Sequence, residues 1–465
     1  MLELAGGRCN VYQGNVLDVL KGMPADWYHC IVTSPPYWGL RAYLKADDPL
    51  KSFELGSEAT PAEYIENMVA VFRECRRVLH PTGVLWVNIG DTYSGTGGTN
   101  SPGSPGRTAR VRNTIIGCQG RGRAVVGYKP NEPIGIPDML KNALRADGWR
   151  HRDTIIWHKI SPMPASLAGW RWERHQQRTW PDADIDTTTE LRWDRQNGRD
   201  FGKPAIVYCP GCDKCRDNGG YVLRKGQWRT TPAHEYLFMF VKSDRYFCDA
   251  ASVKEPASSA TIARNQYTRI TPTTDAEQYA IQHDHEFTGV TRNPHSVQTW
   301  STEPCKFGHY ATYPSALPRF CIKAATSPKG CCPHCGMPWS PVVDHVKATP
   351  RQNDDYIKGS GRCDFNGGGS WTDAKMDCEG YRQSCQCPFH EPIPCRILDP
   401  FAGTGTTLAV GVELGCEATG IELNPVYIPM IEERMAEVHK IIKRTPTPMD
   451  LDHPDKPIEG KVSFF

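Results

Sequence analysis

The stretch RILDPFAGTGTTLAVGVELGCEATGIEL, Arg396 to Leu423, decides the fold. Arg396 to Asp399 reads as a short strand, and Phe401-Ala402-Gly403-Thr404-Gly405 as a tight turn. Thr406 to Gly415 reads as a helix, and Glu417 to Glu422 as a second strand ending on an acid. Strand, glycine turn, helix, strand and terminal acid together form the nucleotide-binding half of a doubly wound α/β fold. The glycines allow a ligand to approach the backbone closely, and the acid can hold two ribose hydroxyls. An isolated Gly-x-Gly is often only a turn; here the whole unit is present. The turn lacks the third glycine of a dinucleotide fingerprint and the lysine of a P-loop, which favours a nucleoside without phosphates.

The first ninety residues carry the same α/β alternation. CNVYQG (Cys9 to Gly14), HCIVTS (His29 to Ser34) and GVLWVNIG (Gly83 to Gly90) read as strands, the last apolar enough to be buried on both faces. VLDVLKGM (Val16 to Met23) and PAEYIENMVAVFRECRRVL (Pro61 to Leu79) read as helices, and His80 to Gly83 as a turn. Further on, IPDMLKNALRADGW (Ile136 to Trp149) is helical and RHRDTIIWHK (Arg150 to Lys159) a strand. AHEYLFMFVKS and RYFCD (Ala233 to Asp249) suggest a strand pair. His234-Glu235 lacks the second histidine of a zinc-protease motif, because position 238 is Phe238.

At 465 residues with net charge +2, the chain has room for a large α/β domain with inserts and no global field for a polyanion. It has no apolar run of membrane-spanning length and no signal peptide at its start, so no membrane and a cytoplasmic, prokaryotic or phage-encoded setting are expected. Residues 92–131 are rich in Gly and Ser, with Arg107, Arg110, Arg112, Arg121, Arg123 and Lys129, and suggest a mobile basic loop that orders on phosphates.

A second motif ends the His29 to Ser34 strand: Ser34-Pro35-Pro36-Tyr37, followed by Trp38. Asp399-Pro400-Phe401-x-Gly403-x-Gly405 resembles the S-adenosylmethionine motif of amino-group DNA methyltransferases, and Ser34 to Tyr37 resembles their catalytic motif. With the catalytic motif first and the cofactor motif last, the order is that of the β-type, circularly permuted members. The resemblance covers about two-thirds of the chain and implies a permuted Rossmann-like methyltransferase sheet carrying inserts. It implies cofactor contacts from Asp399, Pro400, Phe401, Gly403, Gly405, Thr406, Glu422 and Asn424, and from Tyr313-Pro314, where the family more often has Phe-Pro. It also departs from the family at Gly14-Asn15, where Gly-Asp is frequent.

The implied reaction is methyl transfer to the exocyclic amine of a base flipped out of double-stranded DNA. Two prolines fix the backbone and remove donors, so Ser34 Oγ and the Pro35 carbonyl are candidate acceptors for the amine. Tyr37 and Trp38 are candidates to stack on the base. Serine at position 34 leans, within the family, toward cytosine N4; adenine N6 is the alternative. An inactive zinc-stapled DNA-binding protein and an RNA or protein methyltransferase are weaker alternatives. Pro304-Cys305 and Pro394-Cys395 lack the context of a C5-methyltransferase nucleophile.

Nineteen cysteines, clustered as Cys-x-x-Cys, suggest structural Zn2+ at one or two sites. Cys332, Cys335, Cys385 and Cys387 resemble a zinc ribbon, with Cys331, Cys378 and His390 as substitutes. Cys209, Cys212 and Cys215 offer three ligands, with His175 a candidate fourth. Such inserts could also shape the DNA cleft.

The expected organisation is 1–159, the first part of the catalytic domain; 160–229, a Cys-containing insert; and 230–250, the strand pair. Then follow 251–308, a target-recognition region; 309–328, the cofactor-pocket helix; and 329–394, the zinc-ribbon-like insert. The cofactor-binding part, 395–443, and a disordered tail, 444–465, close the chain. Arg264, Asn265, Gln266, Arg269, Arg292 and Asn293 are types that read base edges, with Arg171, Arg174 and Arg178 a competing set. A cognate restriction endonuclease is a further expected partner; the oligomeric state is open.

Overall fold

A computed structural model describes residues 1–40, 42–45, 47–94, 125–162, 169–179, 205–257, 291–303, 313–343 and 378–444. The arginines of the basic loop, Arg264 to Arg269, Cys305 and the 445–465 tail lie outside them. The chain forms two compact units: Met1–Ile160 with His234–Phe465, and Ser161–Ala233.

In chain order the strands begin with β1 (Leu2–Leu4), β2 (Cys9–Gln13), β3 (Tyr28–Thr33), β4 (Leu79–Ile89) and β5 (Arg150–His158). The smaller unit holds β6 (Arg171–Arg174), β7 (Gln176–Thr179), β8 (Ala205–Tyr208) and β9 (Tyr221–Arg224). Then come β10 (His234–Val241), β11 (Glu255–Pro256), β12 (Thr291–Arg292) and β13 (Val297–Thr299). β14 (Ser340–Val343), β15 (Cys378–Arg382), β16 (Arg396–Asp399) and β17 (Glu417–Glu422) complete the set. The helices are α1 (Val16–Lys21), α2 (Pro61–Val78), α3 (Ile136–Ala146), α4 (Ala316–Ala325), α5 (Thr406–Glu413) and α6 (Ile428–Arg444).

Nine strands form one mixed, mostly parallel sheet in the order β1-β2-β17-β16-β3-β4-β10-β5-β13. Along β3 the side chains alternate between two cores. Cys30 and Val32 join α4, α5 and α6 on one face, through Leu317, Leu408 and Ile431. Ile31 joins α1, α2 and α3 on the other, through Leu20, Phe72 and Leu140. The helix α2 starts where the sequence demands: Thr60 and Glu63 form a capping box, and Pro61 occupies the first turn. Tyr64, Ile65, Met68, Val71, Phe72, Cys75 and Val78 then form its buried stripe.

Three expectations change. Residues 230–250 contain one strand rather than a pair. β10 pairs with β4 on one edge and β5 on the other, so no edge remains for Arg245 to Asp249. That segment instead follows Thr82 and Ala324 through its Phe247 and Asp249 amides. His80 to Gly83 does not separate α2 from a strand, because β4 already begins at Leu79; these residues swell out between the pairs Tyr28–Leu79 and Cys30–Val84. Within 251–308, Val297–Thr299 belongs to the main sheet, parallel to β5. Three residues are too few for a visible period.

Candidate active site

The parallel pairing of β3 with β16 brings the Ser34 and Asp399 motifs side by side at the carboxyl ends of their strands. Thr33 Oγ1 donates to Asp399 Oδ1 at 2.7 Å across 366 positions of chain. Asp399 also accepts from the Phe401 amide at 3.1 Å and from Tyr313 Oη at 3.2 Å. Burial raises its pKa above the ordinary carboxylate value, and the Thr33, Thr407, Phe401 and Tyr313 donors pull it down. Tyr313 therefore has a use for the hydroxyl that phenylalanine would lack: it also bonds Thr407 Oγ1.

The glycine turn needs its glycines, since Gly403 and Gly405 have φ of 53° and 77°. Gly403 donates its amide to Glu422 Oε2 at 2.7 Å, and the Asn424 amide donates to Glu422 Oε1 at 2.8 Å. Burial pushes the Glu422 carboxyl up to about 7. Thr406 starts α5 and receives Arg434 Nη1 at 3.1 Å, and Pro314 sits just before α4. Asn15 caps α1 by accepting from the Leu17 and Asp18 amides, so it is spent on the backbone.

Around Ser34 the prolines have unequal surroundings. The Pro36 carbonyl accepts from Tyr64 Oη at 2.9 Å, which leaves the Pro35 carbonyl as the candidate acceptor beside Ser34. Tyr37 Oη donates to Glu235 Oε2 at 2.7 Å and accepts from Asn88 Nδ2 at 2.8 Å. Asn88 Nδ2 also reaches Glu235 Oε2 at 2.8 Å, and Lys159 Nζ pairs with Glu235 Oε1. Ser34 Oγ lies 3.4 Å from Tyr37 Oη. Burial, then the Glu235 charge, raise the Tyr37 pKa well above its ordinary value, so the phenol stays protonated and donates. A Cβ at Gly90 would stand 2.9 Å from Tyr37 Cε2, so glycine there makes room for the ring.

Trp38 is corrected. It is 5% exposed, sits in the α1–α2–α3 core, and donates Nε1 to the Glu58 carbonyl at 3.2 Å. It supports the motif from behind and is not available to stack on a base. Glu235, Asn88 and Lys159 escaped the sequence reading. Their only signal was a polar letter in, or just after, an apolar strand.

Away from this end, Cys332, Cys335, Cys385 and Cys387 bring their sulfurs within 4.8 Å of one another. In the smaller unit, a ring nitrogen of His175 and the sulfurs of Cys209, Cys212 and Cys215 likewise lie within 4.8 Å of one another. There Cys212 Sγ is 3.9 Å from Cys215 Sγ and 3.3 Å from His175 Nδ1, and thiolates on one tetrahedral zinc are separated by roughly 3.8 Å. Amides of His334 and Cys335 donate to Cys332 Sγ. Cys331 does not join the ribbon set; it faces Cys395 and His29. Those three make no metal site: His29 Nδ1 accepts the Arg396 amide at 2.9 Å, leaving Nε2 to donate to the Gly336 carbonyl at 2.7 Å. Cys395 of the Pro394-Cys395 pair is buried beside these contacts, its thiol directed at the Ser327 carbonyl.

The ribbon docks on the amino ends of the strands. Besides His29 on β3, His80 on β4 donates Nε2 to the Cys335 carbonyl at 3.1 Å. Burial, then His29, lower the His80 pKa to about 4, keeping it a neutral donor. The motifs lie at the carboxyl ends, so this insert does not line their crevice.

A family profile described as DNA methylase matches residues 28–333 and 396–433. The chain belongs to this family and is a DNA amino-methyltransferase. It is similar to the type II methyltransferase M.SmaI of Serratia marcescens, 26% identical over 434 residues, spanning 92% of this chain and 90% of that one. It is likewise similar to M.Cfr9I of Citrobacter freundii, 27% identical over 437 residues, spanning 93% and 89%. Among solved structures it resembles PvuII DNA methyltransferase (cytosine-N4-specific), 12% identical with a TM-score of 0.42 over 95% of each chain.

Proposed function

We propose that this enzyme transfers a methyl group from S-adenosylmethionine to the exocyclic N4 of a cytosine flipped out of double-stranded DNA. The observation that carries the reading is the Thr33–Asp399 bond, which joins the motif that addresses the base to the motif that addresses the donor. The donor, when bound, supplies an electrophilic methyl on a sulfonium. The residues present fit it. Glu422 retains oxygen lone pairs for ribose hydroxyls beside two backbone donors, and a Cβ at Gly403 would face open space, so the backbone there can be approached closely.

Ser34 Oγ and the Pro35 carbonyl accept the two amine N–H groups and draw the nitrogen toward tetrahedral geometry. Tyr37 Oη donates its hydrogen bond to Glu235, so it can accept one from the Ser34 hydroxyl and leave the Ser34 lone pairs to the amine. The ring of Tyr37 stacks on the base. Serine at 34 supports cytosine N4 over adenine N6. The two ligand sets hold structural Zn2+. The likeness to type II methyltransferases supports a companion endonuclease. Among the described residues no helix is long and apolar enough to cross a membrane.

Mass spectrometry of nucleosides from plasmid DNA methylated in vitro tests the base: N4-methylcytosine is expected, and N6-methyladenine would overturn that choice. Ser34→Ala should lower turnover by about 10²–10³ with donor affinity unchanged by calorimetry; full turnover would remove Ser34 from the site.

A further inference from the structure

The Ser161–Ala233 unit carries an exposed surface of its own. Its β6 and β9 pair antiparallel as Arg171–Arg224, Trp172–Leu223, Glu173–Val222 and Arg174–Tyr221. Directly opposed residues share a face of the ribbon, so the two faces can be read separately. One face holds Arg171, Arg224, Glu173 and Val222. Its charges answer one another: Glu173 pairs with Arg171 at 2.6 Å and with Arg224 at 3.4 Å.

The other face holds Trp172, Leu223, Arg174 and Tyr221, with no carboxylate among them. A sheet face of this composition is ordinarily covered. Here Trp172 is 54% and Tyr221 46% exposed, and with Asn218 they line an open hollow. The Arg174 guanidinium lies 4.5 Å over the exposed ring of Tyr208, which extends the patch.

We infer that this aromatic and guanidinium face of the β6–β9 ribbon docks on the DNA duplex and contributes to target-site choice. The inference rests on the reading of the substrate as double-stranded DNA. A two-stranded ribbon is one of the two elements that the major groove admits. Arginine and asparagine read guanine and adenine edges, and exposed aromatic rings contact thymine methyls or stack on bases left unpaired by flipping. Lys and Arg outnumber Asp and Glu across 161–233, as a polyanion partner requires. Among the described residues of the unit, Cys215 is the one hydrophobic side chain that is buried, and the His175, Cys209, Cys212 and Cys215 set gives the unit a staple. Such a staple keeps the ribbon rigid enough to present these four side chains in fixed register.

The test uses the full chain and a 30-bp duplex carrying a methylated site mapped by sequencing plasmid DNA treated with the parent enzyme. The double variant Trp172→Ala with Tyr221→Ala should raise KM for this duplex at least tenfold and spread methylation to near-cognate sites. Its kcat at saturating DNA and its donor affinity should stay at the parent values. Arg171→Gln, on the ion-paired face, should change KM less than threefold. Arg174→Gln, a surface change that spares the fold, should lower the slope of log affinity against log salt by about one. Parent KM, site choice and salt slope in these variants would overturn the inference. The salt slope is measured by binding without turnover, and the modified base is identified separately in the parent. A wrong assignment of the base, or of the duplex as substrate, is therefore distinguishable from failure of the ribbon.

Discussion

The two ends of the central sheet are built on opposite plans. At the amino ends, two histidines are spent within the protein: His29 and His80 donate to carbonyls of the Cys332–Gly336 knuckle, and the Arg396 amide binds His29. At the carboxyl ends, polar groups are assembled with capacity to spare. Ser34 has one long contact, and Glu422 keeps lone pairs for hydroxyls. Closure at one end and readiness at the other follow from placing the cysteine insert and the crevice on opposite sides of the same strands. Damage to the first should therefore be read as stability, and damage to the second as function.

The sharpest break should come at the closed end. On the proposed zinc reading, Cys332→Ser removes one of four thiolates and loosens the knuckle whose Cys335 and Gly336 carbonyls His29 and His80 bind. Calorimetry should show a Tm lower by about 5–10 °C, and elemental analysis one zinc fewer per chain; an unchanged Tm would mean that the ribbon does not support the sheet. At the open end, Glu235→Gln and Tyr37→Phe should each lower kcat about 10- to 100-fold with Tm unchanged. The double variant should be no worse than either alone, because the two act as one unit. Additive losses would dissolve that unit.

The pH dependence of donor binding sharpens the same contrast. The Glu422 carboxyl lies near 7 in the folded protein, above its ordinary 4.5, so it is protonated below that pH and cannot accept two hydroxyls. Donor affinity by calorimetry should weaken as pH falls below about 7, approaching tenfold per unit, and stay flat above. The raised value also means that Glu422 itself destabilises the ligand-free fold as pH rises between those two values. A donor affinity independent of pH from 5.5 to 8 would rule out the carboxylate as the ribose acceptor. The mildest test returns to the closed end. Gly336 has φ of 73°, and a Cβ there would lie 3.2 Å from His80 Cδ2. Gly336→Ala should lower Tm by about 2–4 °C with kcat intact, and a loss of kcat instead would blur the division between the ends.

Much of this was legible in the sequence because local rules suffice for it. Gly403 and Gly405 between two apolar strands can hardly be read otherwise, and Ser34 to Tyr37 ends a strand whose burial its composition already requires. What stayed hidden depends on lateral neighbours. Asn88 and Glu235 are single polar letters on strands separated by 147 positions, and nothing local says that β10 inserts beside β4. Trp38 looks free for a base until the Glu58 carbonyl is seen to claim its indole. Asn15 likewise shows its use only at the helix start, where it caps α1. The docking of the ribbon on His29 and His80 has no sequence signal, since buried histidines serve many purposes.

The pairing of β3 with β16 bears on how the molecule comes into being. During synthesis, β3 leaves the ribosome hundreds of residues ahead of the strand that will cover one of its edges. At roughly 5–20 residues per second that interval lasts tens of seconds. Until then an apolar, hydrogen-bond-hungry edge stands open, and a sheet closed by such distant partners forms slowly. Refolding yield from dilute denaturant should therefore fall steeply with protein concentration. Catalytic competence should appear only once β16 and β17 have followed, because the cofactor motif lies on them.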